Sequence, residues 1–191
     1  YFIDDWYSDC YIMWDYLDQV NFYACSVRQA MSDVKIIDGG SMLYGLTWQG
    51  YLAPGRTRTP SDKFPKLYNT KCLDDNPELE FIFREFGDIY FPKHTWQQVQ
   101  MNKNFLCKKH TDSTNITSSV LCTFGNFTGG KTMVEYPDEL KSIDCSRGWV
   151  KFDGAKLPHW VEPFKGDRYS LVFFSNKSIE KKIKSEFKNL I

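Results

Sequence analysis

His110 and Asp112 stand two apart in Lys108-Lys109-His110-Thr111-Asp112. On an extended segment that spacing puts an imidazole and a carboxylate on the same side, because successive side chains alternate between the two faces. His159 lies much further along, and apart from His94 the chain has no other histidine. Two imidazoles and one carboxylate can hold non-haem Fe(II) on one face and leave the opposite face open for chemistry. Imidazole suits zinc and copper as well, and the lack of an evident fourth ligand favours a centre with open positions. A surface histidine beside an aspartate has the same spacing, so the pair gains meaning only from its company.

That company is Arg168 in Gly166-Asp167-Arg168-Tyr169-Ser170-Leu171-Val172-Phe173-Phe174. An arginine leading into an apolar strand is expected to be partly buried, and a buried guanidinium needs an anion. Its fork of N–H groups fits a carboxylate through two bonds. Ser170, two along and on the same face, can add a hydroxyl. A structural pair with an Asp or Glu would satisfy the same arginine.

The elements that must position these residues are legible in part. Trp14, Leu17, Val20, Ala24 and Val27 recur at three- and four-residue steps, which predicts an amphipathic helix over Tyr11–Met31. Asp38-Gly39-Gly40 reads as a turn and Ser41–Leu52 as one or two strands. Ala53–Thr70, rich in proline and basic residues, reads as a long loop. Asn76-Pro77-Glu78 resembles a helix start capped by Asn76, with Leu79, Ile82, Phe83, Phe86 and Ile89 as the buried stripe. From Thr95 the texture changes to short β-like runs: Thr95–Met101, Ser119–Phe124, Thr132–Tyr136, Gly148–Phe152 and Tyr169–Phe174. Gly129-Gly130 is expected to make a hairpin turn, and Asp153-Gly154 another turn. A helix after Ser178 closes the chain, with Ile179, Ile183, Phe187 and Leu190 on one face and lysines on the other. The fold class is α+β with a mainly β core, a sandwich or barrel in the C-terminal two thirds and helices packed outside it.

Composition sets the outer bounds. The 191 residues suffice for one domain with a sizeable core. Lys+Arg and Asp+Glu balance at 24 each, which argues against strong non-specific nucleic-acid binding but not against a local basic groove. No apolar run reaches the roughly 18 residues of a membrane span, and no signal-peptide pattern is seen. The chain begins at Tyr1 rather than Met, as an excised domain would. Six scattered cysteines without any Cys-x-x-Cys make a zinc cluster or a disulfide framework unexpected. We read the thiols as reduced, the localisation as intracellular (cytoplasm or nucleus), and the Asn-x-Ser/Thr sequons at Asn115, Asn126 and Asn176 as coincidental. His94 is expected at the surface. Trp48, Tyr51, Trp96 and Trp160 are aromatics able to stack on an extruded base, although most aromatics in such a chain are core. The basic loop from Arg56 to Lys66 is read as solvated.

His110-x-Asp112, the distant His159 and Arg168-x-Ser170 together resemble the Fe(II)/2-oxoglutarate-dependent dioxygenases. The framing residues Gln100-Met101-Asn102-Lys103-Asn104, Asn115, Gly125-Asn126-Phe127-Thr128-Gly129-Gly130 and Pro163 to Ser170 resemble the group of the TET and J-binding-protein enzymes, which oxidise the methyl group of thymine or 5-methylcytosine in nucleic acid. The resemblance covers roughly Thr95 to Ser175. It implies a double-stranded β-helix (jelly-roll, cupin-like) and a single dioxygenase domain over 1–191. Within it, 1–94 would be a variable helical and loop part, 95–175 the β-helix core and 176–191 the C-terminal helix. It further implies Fe(II) on His110, Asp112 and His159, and 2-oxoglutarate held by Arg168 with Ser170 and Asn102. O2 would be co-substrate and ascorbate a candidate reductant, while no acid or base beyond the metal ligands is identified. The expected reaction is hydroxylation of a C–H bond with release of succinate and CO2, on a nucleobase methyl group in nucleic acid. Hydroxylation of a protein prolyl or lysyl side chain, or a non-catalytic β-helix binding module, are the alternatives. Oligomeric state is left open.

Overall fold

The computed structural model describes residues 1–48, 67–145 and 148–188. Two antiparallel sheets make its core. The larger contains β1 (Gly40–Trp48), β2 (Leu67–Asn69), β3 (Gln98–Lys103), β4 (Asn115–Gly129), β7 (Val150–Phe152) and β9 (Phe164–Asn176), in the order β2-β1-β3-β9-β4-β7. The smaller orders β6 (Leu140–Ile143), β5 (Thr132–Glu135) and β8 (His159–Val161) as β6-β5-β8. Leu121, Val134, Cys145 and Phe152 form a small apolar cluster joining residues of both. This is the jelly-roll architecture expected, with helices outside it.

Alternation along the strands decides what each face of the large sheet does. Val99 and Met101 on β3, Val120, Cys122 and Phe124 on β4, and Tyr169, Leu171 and Phe173 on β9 all join the main core. Met13 and Leu17 of α1 (Trp6–Asp18) and Leu79, Ile82, Phe83 and Phe86 of α4 (Leu79–Tyr90) cover them. The intervening residues Gln100, Asn102, Ser170 and Val172 turn the other way and line a cavity. One sheet thus separates a dry, helix-covered core from a cavity whose lining mixes polar and apolar side chains.

Phe173 anchors the dry side, with its ring 4.9 Å from Phe91, 5.1 Å from Trp96 and 5.9 Å from Phe83 between centroids. Phe173→Ala is expected to lower unfolding free energy by about 3–5 kcal/mol, the usual cost of emptying a buried aromatic site. Denaturant unfolding checks this.

The N-terminal half departs from its periodicity. In place of one helix over Tyr11–Met31, α1 starts earlier, capped by Asp5, and ends at Asp18; a separate α2 spans Ser26–Ala30. The break is tertiary. Ala24 pairs with Ser41, and Ser41 N–H donates to the Tyr23 carbonyl, so this stretch is held against β1 in extended form. Val27, expected in the buried stripe, is exposed. Most of the expected loop Ala53–Thr70 and the end of Ser41–Leu52 lie outside the described residues. Leu67–Asn69, however, is a strand, and Thr70 caps α3 (Lys71–Asp75) by accepting from Leu73 N–H. Asn76 does not cap α4; its side-chain amide donates back to the Cys72 carbonyl and closes α3 instead. The remaining strand limits move by a few residues, and the structure adds β6 and β8, of four and three residues. The final helix, α5 (Lys177–Lys188), buries Ile179 as expected; the side chains of Phe187 and Leu190 lie outside the described residues.

Gly129-Gly130 is not a hairpin. Strand β4 pairs with β7 and β9, whereas β5 pairs with β6 and β8, so the two glycines carry the chain from one sheet to the other. Both take left-handed φ, 78° and 68°, a conformation costly for other residues.

Candidate active site

Backbone pairing brings the two distant histidines together. His110 N–H donates to the His159 carbonyl at 3.0 Å and His159 N–H returns the bond to His110 at 2.9 Å. Asp112 follows this bridge and is fixed by its own N–H to the Gly154 carbonyl at 2.8 Å. The segment forms an isolated bridge, and the two-residue spacing brings His110 and Asp112 to one site. Gly154 matters for space: a Cβ there would lie 3.2 Å from His159 Cε1 and 3.5 Å from Asp112 Oδ2.

Both imidazoles are oriented by carbonyl oxygens. His110 Nδ1 bonds the Lys108 carbonyl at 2.8 Å and His159 Nδ1 the Leu157 carbonyl at 2.9 Å. A carbonyl only accepts, so each Nδ1 carries hydrogen and each Nε2 is left for a metal, the outer hydrogen bond fixing the inner ligand. The Nε2 atoms stand 3.5 Å (His110) and 3.4 Å (His159) from the two Asp112 oxygens. The three ligand atoms lie within 4.8 Å of one another. Adjacent ligands on a metal with bonds of roughly 2.0–2.2 Å stand about 3 Å apart, so small movements close the set around one ion. Donor types and spacing fit a two-histidine, one-carboxylate centre.

Burial works against charge on His110, but its hydrogen bonds to Asp112 and Cys107 prevail and push its pKa up to about 10. The same two imidazoles hold Asp112 well below the usual carboxylate range despite its burial. Because His110 keeps its proton until near pH 10, metal must displace it throughout the neutral range. Metal binding at pH 7 is thus expected to release a proton and to weaken as pH falls. Calorimetry of Mn(II) or Fe(II) binding in buffers of different ionisation enthalpy reads the proton directly.

A cavity of about 100 Å³ opens beside the three ligands, lined by Gln100, Asn102, Phe152, Ser170 and Val172 among others. Asn102 and Ser170, expected near the cosubstrate, face each other across paired strands β3 and β9, and Asn102 Nδ2 donates to Ser170 Oγ at 3.1 Å. Arg168 sits one inward step further along β9. It does not line the cavity; its guanidinium lies 5.6 Å from the Phe127 ring and 5.7 Å from the Phe164 ring.

Arg168 is 2% exposed. Among the described residues its guanidinium makes one hydrogen bond, Nε to the Gly130 carbonyl at 3.1 Å, and no ion pair. Burial brings it down to about 10, with Cys145 and Cys107 opposing the shift. The structural Asp or Glu partner that the sequence left open is therefore absent among the described residues. A buried cation without an anion is costly, and an anionic ligand relieves that cost. Gly130 forms the shelf beneath it, since a Cβ there would come within 2.8 Å of Arg168 Cδ and Nε.

Other residues fall differently from expectation. Arg28, which sequence reasoning missed, lines the cavity from α2 and stacks over Phe105 at 5.1 Å. No spacing signal marks it, because it reaches the site only through the break between α1 and α2. His94 is half-buried and donates Nε2–H to the Phe173 carbonyl at 2.9 Å, and burial lowers its pKa. Asn115 is buried and lines the cavity, which rules out its sequon in the folded chain. Trp96 is core beneath Arg84, whereas Trp160 lines the cavity with Lys109 Nζ 5.1 Å above its ring. Lys109 also pairs with Glu135. The side chain of Trp48, Tyr51 and the basic loop lie outside the described residues. No helix among them is long and apolar enough to cross a membrane.

No protein-family model matches the chain, and a search of curated proteins finds no match. Solved structures do overlay on it. A protein of the 2OG-Fe(II) oxygenase family from Burkholderia pseudomallei is 23% identical, with TM-score 0.40, covering 58% of this chain and 60% of its own. NgTET1 in complex with 5mC DNA is 20% identical, with TM-score 0.47, covering 72% of this chain and 61% of its own. A prolyl-4-hydroxylase from Pseudomonas putida is 15% identical, with TM-score 0.44, covering 88% and 83%. The chain thus spans about three fifths of the length of the first two. These are likenesses of overall shape, and the functional reading is carried by the cavity itself.

Proposed function

We propose that the protein is an Fe(II)- and 2-oxoglutarate-dependent oxygenase that hydroxylates a C–H bond, with the methyl group of a nucleobase in nucleic acid as substrate. One observation carries the reaction class: a His-Asp-His donor set shares a small cavity wall with Ser170, and two residues before Ser170 on the same strand stands a buried arginine with no anion among the described residues. His110, Asp112 and His159 would hold the iron through Nε2, a carboxylate oxygen and Nε2. Arg168 would pair with the distal carboxylate of 2-oxoglutarate, assisted by Ser170, with Asn102 beside it. Bound Fe(II) with 2-oxoglutarate activates O2 for hydroxylation, releasing succinate and CO2. The residues themselves bind and orient, and no general acid or base is required of them. At about 100 Å³ the cavity falls below the roughly 300–1,000 Å³ of drug-sized sites. It suits a small dicarboxylate, and the group to be oxidised would approach from the mouth beside Asp112.

The nucleobase reading is supported by the framing residues of the sequence and by Trp160, an aromatic next to His159 on the cavity wall and suited to stacking on an extruded base. The test offers oligonucleotides containing thymine or 5-methylcytosine, and proline- or lysine-bearing peptides, and reads gain of one oxygen atom by mass spectrometry. Oxidised base, with binding that falls steeply as salt rises, is the expected result. Oxidised peptide and untouched DNA would replace this substrate with a protein side chain and keep the chemistry.

A further inference from the structure

We infer that Ser41, on β1, is a positioning residue that fixes the direction of hydrogen bonding in the cavity wall and so makes Ser170 a donor to the cosubstrate carboxylate; the inference rests on the functional reading above. The direction follows from groups that can act in only one sense. Gln100 Nε2 bonds the Met42 carbonyl at 2.8 Å, which settles the orientation of that amide, and the same nitrogen reaches Ser41 Oγ at 3.0 Å. Arg28 Nε, which can only donate, reaches Ser41 Oγ at 2.8 Å. Two donors occupy both lone pairs of the Ser41 hydroxyl. Its own proton therefore goes to the third neighbour, Asn102 Oδ1, at 2.6 Å.

The consequence passes along one more link. With its oxygen committed to Ser41, Asn102 presents Nδ2 to Ser170 Oγ at 3.1 Å. Ser170 accepts that bond and keeps its own proton for a ligand. Strand register supports the path, since Ser41 stands opposite Asn102 and Asn102 opposite Ser170 across three adjacent strands. Ser41 and Ser170 are 2% and 4% exposed. The wall formed by the Ser170 hydroxyl and the Arg28 guanidinium is then one of donors, suited to a group that only accepts.

Without the Ser41 hydroxyl, Asn102 is free to turn its oxygen towards Ser170 and draw the Ser170 proton inward. The test uses the full chain loaded with Mn(II) and titrated with 2-oxoglutarate by calorimetry, alongside KM and kcat for succinate formation and a thermal melt. Ser41→Ala is expected to raise Kd and KM roughly tenfold, about one hydrogen bond to a charged group, with kcat little changed. Ser41→Thr, which keeps the hydroxyl, restores both. Asn102→Asp, which has no donor for Ser170, loses at least as much as Ser41→Ala. Wild-type affinity in Ser41→Ala, or equal weakening in Ser41→Ala and Ser41→Thr with matching loss of thermal stability, overturns the inference alone. A wild-type protein that does not bind 2-oxoglutarate overturns the functional reading, and this inference with it.

Discussion

Arg168→Met is expected to abolish useful affinity for 2-oxoglutarate while sparing the ligand-free fold. Removing one partner of a buried charge pair costs about 2–5 kcal/mol, roughly 30- to 4,000-fold in Kd. The same change should not destabilise the empty protein by the 3–5 kcal/mol that follows loss of a structural ion pair, because among the described residues Arg168 has no anion to lose. An apolar chain of similar length also fills the space between Phe127 and Phe164. The two outcomes have opposite meanings, so a melt with and without 2-oxoglutarate separates them. In wild type the ligand raises Tm; in Arg168→Met that shift vanishes. A large fall in the Tm of the ligand-free variant, with 2-oxoglutarate binding retained, would make the arginine structural. Gly130→Ala approaches the same charge from below: its methyl would crowd Arg168 Cδ and Nε and should weaken cosubstrate binding without removing any polar group.

Asp112→Ala is expected to end metal binding and succinate formation together. Asp112 supplies the one carboxylate and stands between both Nε2 atoms. Its loss should exceed the roughly 10- to 100-fold penalty that changes behind a ligand produce, and it leaves the His110 and His159 rings 4.3 Å apart between centroids with no carboxylate between them. Metal titration of the variant followed by magnetic resonance of Mn(II) reads the loss directly. Retained stoichiometric binding would mean that the ion is held elsewhere. His159→Ala should behave alike, with an added cost in folding because His159 is buried beside Phe152.

Much of this was legible in the sequence, for physical reasons that can be named. A two-residue spacing survives any extended backbone, so His110 and Asp112 converge even though their segment is a bridge and not a strand. Arg168, Ser170 and the apolar run after them share one long strand, where alternation fixes the faces. The buried stripe of α4 repeats at helical spacing and packs as written, with Ile89 only partly covered. What failed depended on distant partners. The periodicity from Tyr11 to Met31 continues past Asp18, but α1 ends there and Ser41 holds the following stretch in extended form at Tyr23 and Ala24. That break delivers Arg28 to the cavity, and no local signal announces it. The glycine pair at Gly129-Gly130 has hairpin chemistry, yet a turn cannot reveal whether its strands belong to one sheet or two. Asn76 has the chemistry of a cap for either neighbouring helix, and only the position of α3 decides which it serves.

A cavity that couples iron to 2-oxoglutarate must form succinate from it, and that product is the most direct readout. The purified chain with Fe(II), 2-oxoglutarate and O2, assayed with and without ascorbate and with a methylated oligonucleotide, is predicted to release succinate in a reaction that stops on chelation of iron and is lost in both Asp112→Ala and Arg168→Met. No succinate from the iron-loaded wild type with any substrate offered, or the same succinate from the two variants, would contradict the account.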